Sequence, residues 1–269
     1  MTGEELREAL HAGKRVYGAC LTNPSPWGMA HYTQLDFAFI DNEHCPLGRE
    51  TTMVLCQSYK ARGIVPLVRI PVADPVLAGM ALDAGAEGII CPYVEEPDRV
   101  REVVGAVKYR PLKGKKLADL LRSRAGVDPE TLRYLQRWNK NNILIINVES
   151  LPALARLDEI LAVEGLDAVL IGPHDLSISL DLPESYEDPR FIAAVEGIIE
   201  KARKAGLGAG IHYWQSLERE LHYARKGANL ISHSTDVMEA ARAIDSALSR
   251  LRRAFGDRPE KHLTGTETI

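Results

Sequence analysis

The feature that most constrains the fold is a repeated alternation of short apolar runs with segments of helical periodicity. Eight β-prone runs are each followed by a segment in which apolar residues recur at helical spacing. Runs that are apolar on both faces predict strands of a parallel sheet that helices cover on both sides. The predicted strands are residues 15–21, 37–43, 65–71, 88–94, 143–150, 168–176, 208–214 and 229–236.

Eight such units within 269 residues predict a single-domain (β/α)8 TIM barrel, an α/β fold, at residues 1–255. No GxGxxG motif follows the first strand, which disfavours a dinucleotide-binding fold. One long connection contains a basic insert at about residues 108–140, with ten Lys or Arg against three acidic residues. Residues 256–269 are predicted to form a polar C-terminal tail.

Charge and cysteine content exclude several classes of protein. A formal net charge of −4 and a pI near 6.1 argue against a nucleic-acid-binding protein. The four cysteines form no CxxC pair, so neither a zinc site nor a disulfide framework is expected, and a reducing cytoplasm is the predicted location. No run of eighteen apolar residues occurs, so we expect no membrane segment.

Ionisable side chains follow the apolar runs at several predicted strand ends. In a parallel barrel these ends meet at one edge, where active sites are built. We expect five of them to form one site, namely Asp41, His44, Arg69, Glu149 and Asp175. Three others are interpreted as hydrogen-bonded structural residues, namely Glu43, His212 and His233.

The five candidate residues predict chemistry next to a carbonyl group. Glu149 and Asp175 supply two oxygen ligands, which suit Mg²⁺ or Mn²⁺ and would accept Co²⁺ or Zn²⁺. Arg69 provides a permanently charged fork for a carboxylate or an enolate oxygen. His44 lies three residues after Asp41, so that the carboxylate is expected to orient the imidazole as an acid–base dyad. None of the predicted strands contains a lysine, which disfavours a Schiff-base mechanism.

Five motifs also carry a family resemblance. The segments FIDNEHCP, PLVRIP, LDAGAEGIICPYVE, NVES and IGPHDLS occur in this order along the chain. They resemble the HpcH/HpaI family of metal-dependent, class II pyruvate aldolases of the 4-hydroxy-2-oxoheptanedioate aldolase type, from about residue 4 to residue 255.

The resemblance implies a TIM barrel with a swapped C-terminal helix and a homohexamer built as a trimer of dimers. It implies that Glu149 and Asp175 bind the metal and that Arg69 contacts the keto oxygen of pyruvate. It also assigns His44 and Asp41 to an acid–base dyad.

The resemblance further implies that Gly172 and Pro173 shape the site of the pyruvate carboxylate through their backbone. Asp83 matches a position that the family presents to the site of a neighbouring subunit. The insert is expected on the side of the site that binds the aldehyde. The chain departs from the family motifs within this insert, and it carries His174 where the family often has Ala or Tyr.

The expected function is therefore that of a lyase that cleaves a 4-hydroxy-2-oxo acid to pyruvate and an aldehyde, or runs the reverse aldol addition. An acyl-CoA lyase of the citramalyl- or malyl-CoA type is one alternative, in which the basic insert would receive the CoA phosphates. A barrel that binds a 2-oxo acid without turning it over is another.

Overall fold

Eight parallel strands close into a barrel in chain order, as the alternating sequence pattern predicts. The computed structural model describes residues 1–123 and 127–257, apart from the side chains of residues 29 and 30. The strands are β1 (Val16–Leu21), β2 (Phe37–Asp41), β3 (Val65–Arg69), β4 (Gly88–Cys91), β5 (Ile143–Val148), β6 (Ala168–Ile171), β7 (Gly208–Tyr213) and β8 (Leu230–Thr235).

Helices surround the barrel, and a short 3₁₀ helix at Pro26–His31 follows β1. Among the helices of the described residues, none is long and apolar enough to cross a lipid bilayer. The α-helices are α1 (Gly3–His11), α2 (Arg49–Ala61), α3 (Pro75–Asp83), α4 (Pro97–Lys108), α5 (Gly114–Ser123), α6 (Pro129–Trp138), α7 (Leu151–Ala155), α8 (Leu157–Leu161), α9 (Pro173–Ser179), α10 (Pro189–Lys204), α11 (Leu217–Arg225) and α12 (Asp236–Phe255).

Helix α1 closes one end of the barrel and leaves the other end open. Its Leu6 and Leu10 are fully buried and pack with inward-facing strand residues such as Phe37 and Leu67. Those strand residues lie near the beginnings of β2 and β3. The open end is therefore the one at which the strands finish, where a barrel carries its active site.

Several strands end earlier than the sequence pattern predicts. The predicted strand at 168–176 is wrong in its second half, because β6 ends at Ile171 and α9 begins at Pro173. Proline has no N–H to donate to a sheet, and its fixed φ suits the first position of a helix. Asp175 therefore lies in the first turn of a helix rather than at the end of a strand.

The basic insert lies at the closed end of the barrel. Nδ2 of Asn139 donates to the carbonyl oxygen of Arg110 at 2.8 Å, and Nζ of Lys140 contacts Glu4 of α1 at 3.0 Å. The insert follows α4, which descends from the open end, and it precedes β5, which starts at the closed end. Helices α5 and α6 therefore emerge opposite the predicted site. Residues 124–126 of the insert and 258–269 of the predicted tail lie outside the described residues.

Helix α12 does not cover its own barrel. All 20 of its residues are exposed or half-buried, although it carries an apolar stripe that includes Ile244, Leu248 and Phe255. A cavity of about 380 Å³ remains between α11 and the strands β1 and β8, where Tyr17 and Leu221 are exposed. One helix and one groove are thus both left with apolar surface in contact with solvent.

A buried ion pair stabilises the closed end, and its removal is expected to be costly. Nζ of Lys108 contacts Asp167, and the two side chains are only 13% and 4% exposed. Asp167→Ala is expected to lower the free energy of unfolding by about 3–5 kcal/mol, because it leaves a buried ammonium without its carboxylate. Urea unfolding at a fixed protein concentration measures this change.

The exposed pair Asp158–Lys201, with 2.9 Å between Oδ2 and Nζ, provides the control. Asp158→Ala is expected to change the free energy of unfolding by at most about 1 kcal/mol, because water already solvates both charges. Equal losses in the two variants would contradict the assignment of Lys108–Asp167 as a buried structural pair.

Candidate active site

The open end of the barrel carries an arginine and an aspartate at the ends of adjacent strands. Arg69 ends β3 and lies opposite Asp41, the last residue of β2. Nε and Nη2 of Arg69 donate to the two carboxylate oxygens of Asp41 at 2.8 and 2.7 Å. Burial alone would raise the pKa of Asp41, but the hydrogen bonds and charge of Arg69 hold that pKa below its ordinary value. The ionised carboxylate therefore fixes the orientation of the guanidinium.

Two further groups contact the guanidinium of Arg69. Its Nη1 lies 3.1 Å from Oε2 of Glu43, and its central carbon lies 5.2 Å from the centre of the Phe39 ring. Burial raises the pKa of Glu43 to about 7, although the charge of Arg69 opposes this shift. The sequence analysis interprets Glu43 as structural. Because β2 ends at Asp41, strand periodicity does not extend to Glu43, and its contact with Arg69 is what places it beside the site.

His44 lies beside Glu43 rather than against Asp41. Its Nε2 is 3.6 Å from Oε2 of Glu43, and its side chain is half exposed. The carboxylate of Asp41 instead binds Arg69 and accepts the backbone N–H of Glu43 at 3.0 Å. The structure thus differs from the predicted dyad, because the neighbouring strand presents a guanidinium fork that matches both carboxylate oxygens. His44 still lines the same cavity.

Glu149 and Asp175 provide carboxylates on the other side of the cavity. Glu149 follows β5 and is buried, with its oxygens accepting from the side-chain amide of Asn147 and, at 3.2 Å, from the backbone N–H of Tyr93. Burial raises the pKa of Glu149 to about 7, and the negative charge of Asp175 adds to the shift. Asp175 is exposed to the cavity. A buried and an exposed carboxylate that line the same cavity suit a site for a divalent cation.

The fit between Gly172 and Glu149 leads to a prediction about metal binding. A Cβ atom at position 172 would lie 2.1 Å from Oε1 of Glu149, so any side chain there displaces the carboxylate. Gly172→Ala is therefore expected to weaken Mn²⁺ binding, measured by titration calorimetry, by about 10- to 100-fold, as when a group that orients a ligand is lost.

Gly197 in α10 provides the control, because a Cβ there would meet no atom within 4 Å. Gly197→Ala is expected to leave Mn²⁺ affinity unchanged and to raise the free energy of unfolding by about 0.5–1 kcal/mol. Unchanged Mn²⁺ affinity in Gly172→Ala would show that metal binding does not depend on this position of the Glu149 carboxylate.

One cavity of about 360 Å³ brings together nearly all of the predicted site residues. Asp83 is the exception, since it ends α3 toward the closed end of the barrel and pairs there with Arg110. No described residue of the basic insert lines this cavity, so the expectation of an insert beside the acceptor does not hold within one chain. The predicted residues that line it are Asp41, His44, Arg69, Glu149, Gly172, Pro173 and Asp175.

Two histidines that were both interpreted as structural face opposite sides of the sheet. His212 lines the cavity, and its ring centre lies 5.4 Å from that of Phe39. His233 instead points outward, where its Nδ1 lies 2.9 Å from Glu220 of α11. Both histidines are hydrogen-bonded, as predicted, since Nε2 of His212 lies 3.0 Å from the carbonyl oxygen of Ser234. Whether either one is only structural stays a prediction. The period of β7, in which Gly208 and Gly210 also face inward, would have identified His212.

Most of the chain matches a known protein family. The model of the HpcH/HpaI aldolase/citrate lyase family matches residues 19–243. The chain belongs to this family. All of the site residues named above fall within the matched range, from Asp41 to His212.

Individual relatives from the HpcH/HpaI family match over most of their length. A hydroxypyruvate/pyruvate aldolase of Deinococcus radiodurans is 36% identical over 244 residues, covering 88% of this chain and 86% of that protein. A 2-keto-3-deoxy-L-rhamnonate aldolase of Salmonella gallinarum is 31% identical, covering 92% of both. The crystal structure of an HpcH/HpaI aldolase from Desulfitobacterium hafniense matches with a TM-score of 0.80 and 27% identity, covering 96% of this chain and 98% of that one.

Proposed function

We propose that this protein is a metal-dependent aldolase, a lyase that cleaves a 4-hydroxy-2-oxo acid to pyruvate and an aldehyde and catalyses the reverse addition. The observation that carries the proposal is the pair Glu149 and Asp175 facing, in one cavity, an arginine that Asp41 holds rigidly. The named activities of the relatives from Deinococcus radiodurans and Salmonella gallinarum support the same reaction class.

The donor set at this site fits a hard divalent cation, Mg²⁺ or Mn²⁺, with Co²⁺ or Zn²⁺ as substitutes. Glu149 and Asp175 would hold it through carboxylate oxygens. Among the residues that the structure describes, no group of three or more His, Cys, Asp or Glu is arranged to hold a metal, so two protein ligands leave room for substrate and water. When bound, the cation supplies Lewis acidity toward the keto oxygen of a 2-oxo acid.

The residues around the proposed metal site have separate roles in the reaction. Arg69 stabilises the negative charge that develops on the keto oxygen, and its fixed position means that no reorganisation is needed during the reaction. In cleavage, His44 accepts the proton of the C4 hydroxyl, C4 becomes the carbonyl carbon of the released aldehyde, and the electron pair of the broken C3–C4 bond forms the enolate of pyruvate. C3 then takes a proton from solvent to give pyruvate, and His44 returns its proton to solvent. Gly172 and Pro173 shape the space for the substrate carboxylate.

Release of pyruvate from a 4-hydroxy-2-oxo acid, followed with a coupled lactate dehydrogenase assay, tests this function. Turnover that requires a CoA thioester would support the acyl-CoA lyase instead, and saturable binding without turnover would support a binding protein. The acyl-CoA alternative loses support within one chain, because no described residue of the basic insert lines the cavity.

We further propose that the protein is a homo-oligomer in which two copies exchange α12. The stripe of α12 and the open groove between α11, β1 and β8 are both apolar. The groove lies where an outer helix would be expected to cover β8 and β1, so the α12 of a second copy could fill it. A trimer of such dimers would give the hexamer. Asp83, which is 65% exposed at the far end of α3, would then be available to the site of a neighbouring subunit.

A charge on the apolar stripe of α12 is expected to disrupt this assembly. Leu248→Glu places a carboxylate in the proposed contact, so the mass measured by size exclusion with light scattering should fall to that of smaller species. Ser246→Glu, on the opposite face of the helix, should leave the mass unchanged. Equal masses for both variants and the parent protein would reject the exchange.

We propose that the protein is located in the cytoplasm. The four cysteines are free and buried, and burial raises the pKa of the thiols of Cys20, Cys45, Cys56 and Cys91. A chain that keeps all of its thiols unpaired suits a reducing compartment.

A further inference from the structure

His212 is a cavity residue that the proposed mechanism does not use. It is the last inward-facing residue of β7, and its ring lies edge-on to Phe39 with centres 5.4 Å apart. The guanidinium of Arg69 lies over the same Phe39 ring at 5.2 Å. His212 and Arg69 therefore both pack against Phe39, and both line the cavity in which the substrate would bind.

The backbone of β8 determines which nitrogen of His212 carries the proton. Nε2 lies 3.0 Å from the carbonyl oxygen of Ser234, and a carbonyl oxygen only accepts hydrogen bonds. Nε2 is therefore the protonated nitrogen. Burial lowers the pKa of His212 to about 4, so the ring is neutral near pH 7 and Nδ1 keeps an unprotonated lone pair.

Ser234 adopts an unusual conformation that supports this arrangement. The register between β1 and β8 shifts between Ala19 and Cys20, so that Ser234 is an extra residue of β8. Its φ is +42°, in the left-handed region that a non-glycine residue enters at a cost. This bulge frees the carbonyl of Ser234 from the strand pairing and makes it available to His212.

The second nitrogen of His212 has no protein partner among the residues that the structure describes. This nitrogen, Nδ1, is not fully buried, and His212 lines the cavity, so Nδ1 is accessible from the cavity. The ring is thus a neutral acceptor of fixed orientation. A hydroxyl group is the substrate substituent that matches it, because a hydroxyl donates to a bare nitrogen without needing a charge.

We infer that Nδ1 of His212 accepts a hydrogen bond from a hydroxyl group of the substrate, and so makes the site favour hydroxylated substrates over their deoxy analogues. The inference rests on the proposed aldolase function. The hydroxyl belongs either to C3 of the 2-oxo acid or to the carbon beside the carbonyl of the acceptor aldehyde.

Three substitutions separate the role of Nδ1 from that of Nε2. His212→Leu removes both nitrogens. His212→Asn keeps an acceptor near the position of Nδ1 and loses the bond to Ser234, whereas His212→Gln keeps a donor near Nε2 and loses the acceptor. Each variant first has to exchange the methyl protons of pyruvate with D₂O detectably, which establishes that the enolate-forming part of the site is assembled.

The measurement is the ratio of kcat/KM for a hydroxylated substrate to that for its deoxy analogue. Hydroxypyruvate against pyruvate, with one common aldehyde, probes the C3 hydroxyl. Glycolaldehyde against acetaldehyde, with pyruvate, probes the acceptor hydroxyl. For at least one pair, the ratio is expected to fall about 3- to 10-fold in His212→Leu and His212→Gln, the size of one neutral hydrogen bond, and to stay nearer to the parent value in His212→Asn.

The pair that responds identifies the hydroxyl that His212 binds. Unchanged ratios in His212→Leu for both pairs would overturn the inference while leaving the aldolase function intact. A ratio kept in His212→Gln and lost in His212→Asn would also overturn it, since the bond to Ser234 would then be the one that matters. Absence of pyruvate exchange in the parent protein would reject the aldolase function itself and this inference with it.

Discussion

Removal of divalent cations with a chelator is expected to abolish both pyruvate proton exchange and aldol cleavage, and Mg²⁺, Mn²⁺ or Co²⁺ should restore them. Glu149 and Asp175 are the two carboxylates available to a cation in the cavity. Glu149→Gln and Asp175→Asn keep the size of each side chain and remove its charge. Each is expected to lower the exchange rate by at least about 10³-fold, since a cation stabilises the developing oxyanion by several kcal/mol.

The pH dependence of metal binding gives a second measure of the same site. Because the pKa of Glu149 is raised to about 7, protons compete with the metal below that pH. Mn²⁺ affinity should therefore rise as the pH increases toward 7 and level off above it, and Glu149→Gln should lose this dependence. Glu102→Gln, which changes an exposed carboxylate of α4, is the control for both measurements. Full activity in metal-free protein would reject the site.

Arg69→Ala is expected to slow the exchange of pyruvate methyl protons with D₂O by about 10²- to 10³-fold, as for the loss of an oxyanion-stabilising donor. Pyruvate binding should weaken less, because the charge of Arg69 matters most when the keto oxygen becomes negative. Proton exchange, followed by NMR, needs no aldehyde and so isolates the enolate-forming step. Exchange within a few-fold of the parent rate would exclude Arg69 from that step.

Two further variants, Arg69→Lys and His44→Ala, help to explain the expected loss of proton exchange in Arg69→Ala. Removing Arg69 also leaves Asp41 buried without its partner, so the variant's fold is checked by circular dichroism. Arg69→Lys keeps the charge but not the fork that Asp41 holds, and an intermediate rate is expected. His44→Ala should abolish cleavage while part of the exchange survives, because His44 is assigned to the C4 hydroxyl. Equal loss of both activities would make His44 the enolisation base.

The barrel was predictable because its signal is repeated eight times along the chain. Apolar runs alternating with amphipathic segments determine the strand order without any knowledge of contacts. The ends of the strands were less predictable, because an apolar residue such as Ile171 looks the same in the last position of a strand and in the loop that follows. Pro173 ends the strand, because proline has no N–H for the sheet and its fixed φ begins α9 instead.

The site residues were predictable as a set but not as pairs. Asp41 and Arg69 are 28 residues apart, and only the register of β2 against β3 brings them together. Proximity in sequence favoured His44 as the partner of Asp41, whereas strand pairing favours Arg69. The location of the basic insert is likewise not predictable from its composition, which does not indicate whether the insert precedes or follows α4.

The beginning of α12 connects the cavity to the proposed subunit contact, so catalytic activity is expected to depend on protein concentration. Asp236, its first residue, accepts the backbone N–H and the hydroxyl of Thr22 at 3.0 and 3.1 Å, and both Thr22 and the preceding Thr235 line the cavity. With the helix exchange proposed above, a subunit that loses its partner on dilution keeps this contact, which lies within one chain, but the apolar stripe of α12 beyond it loses its packing partner. Specific activity would then follow mass action, declining at low protein concentration while each barrel remains folded.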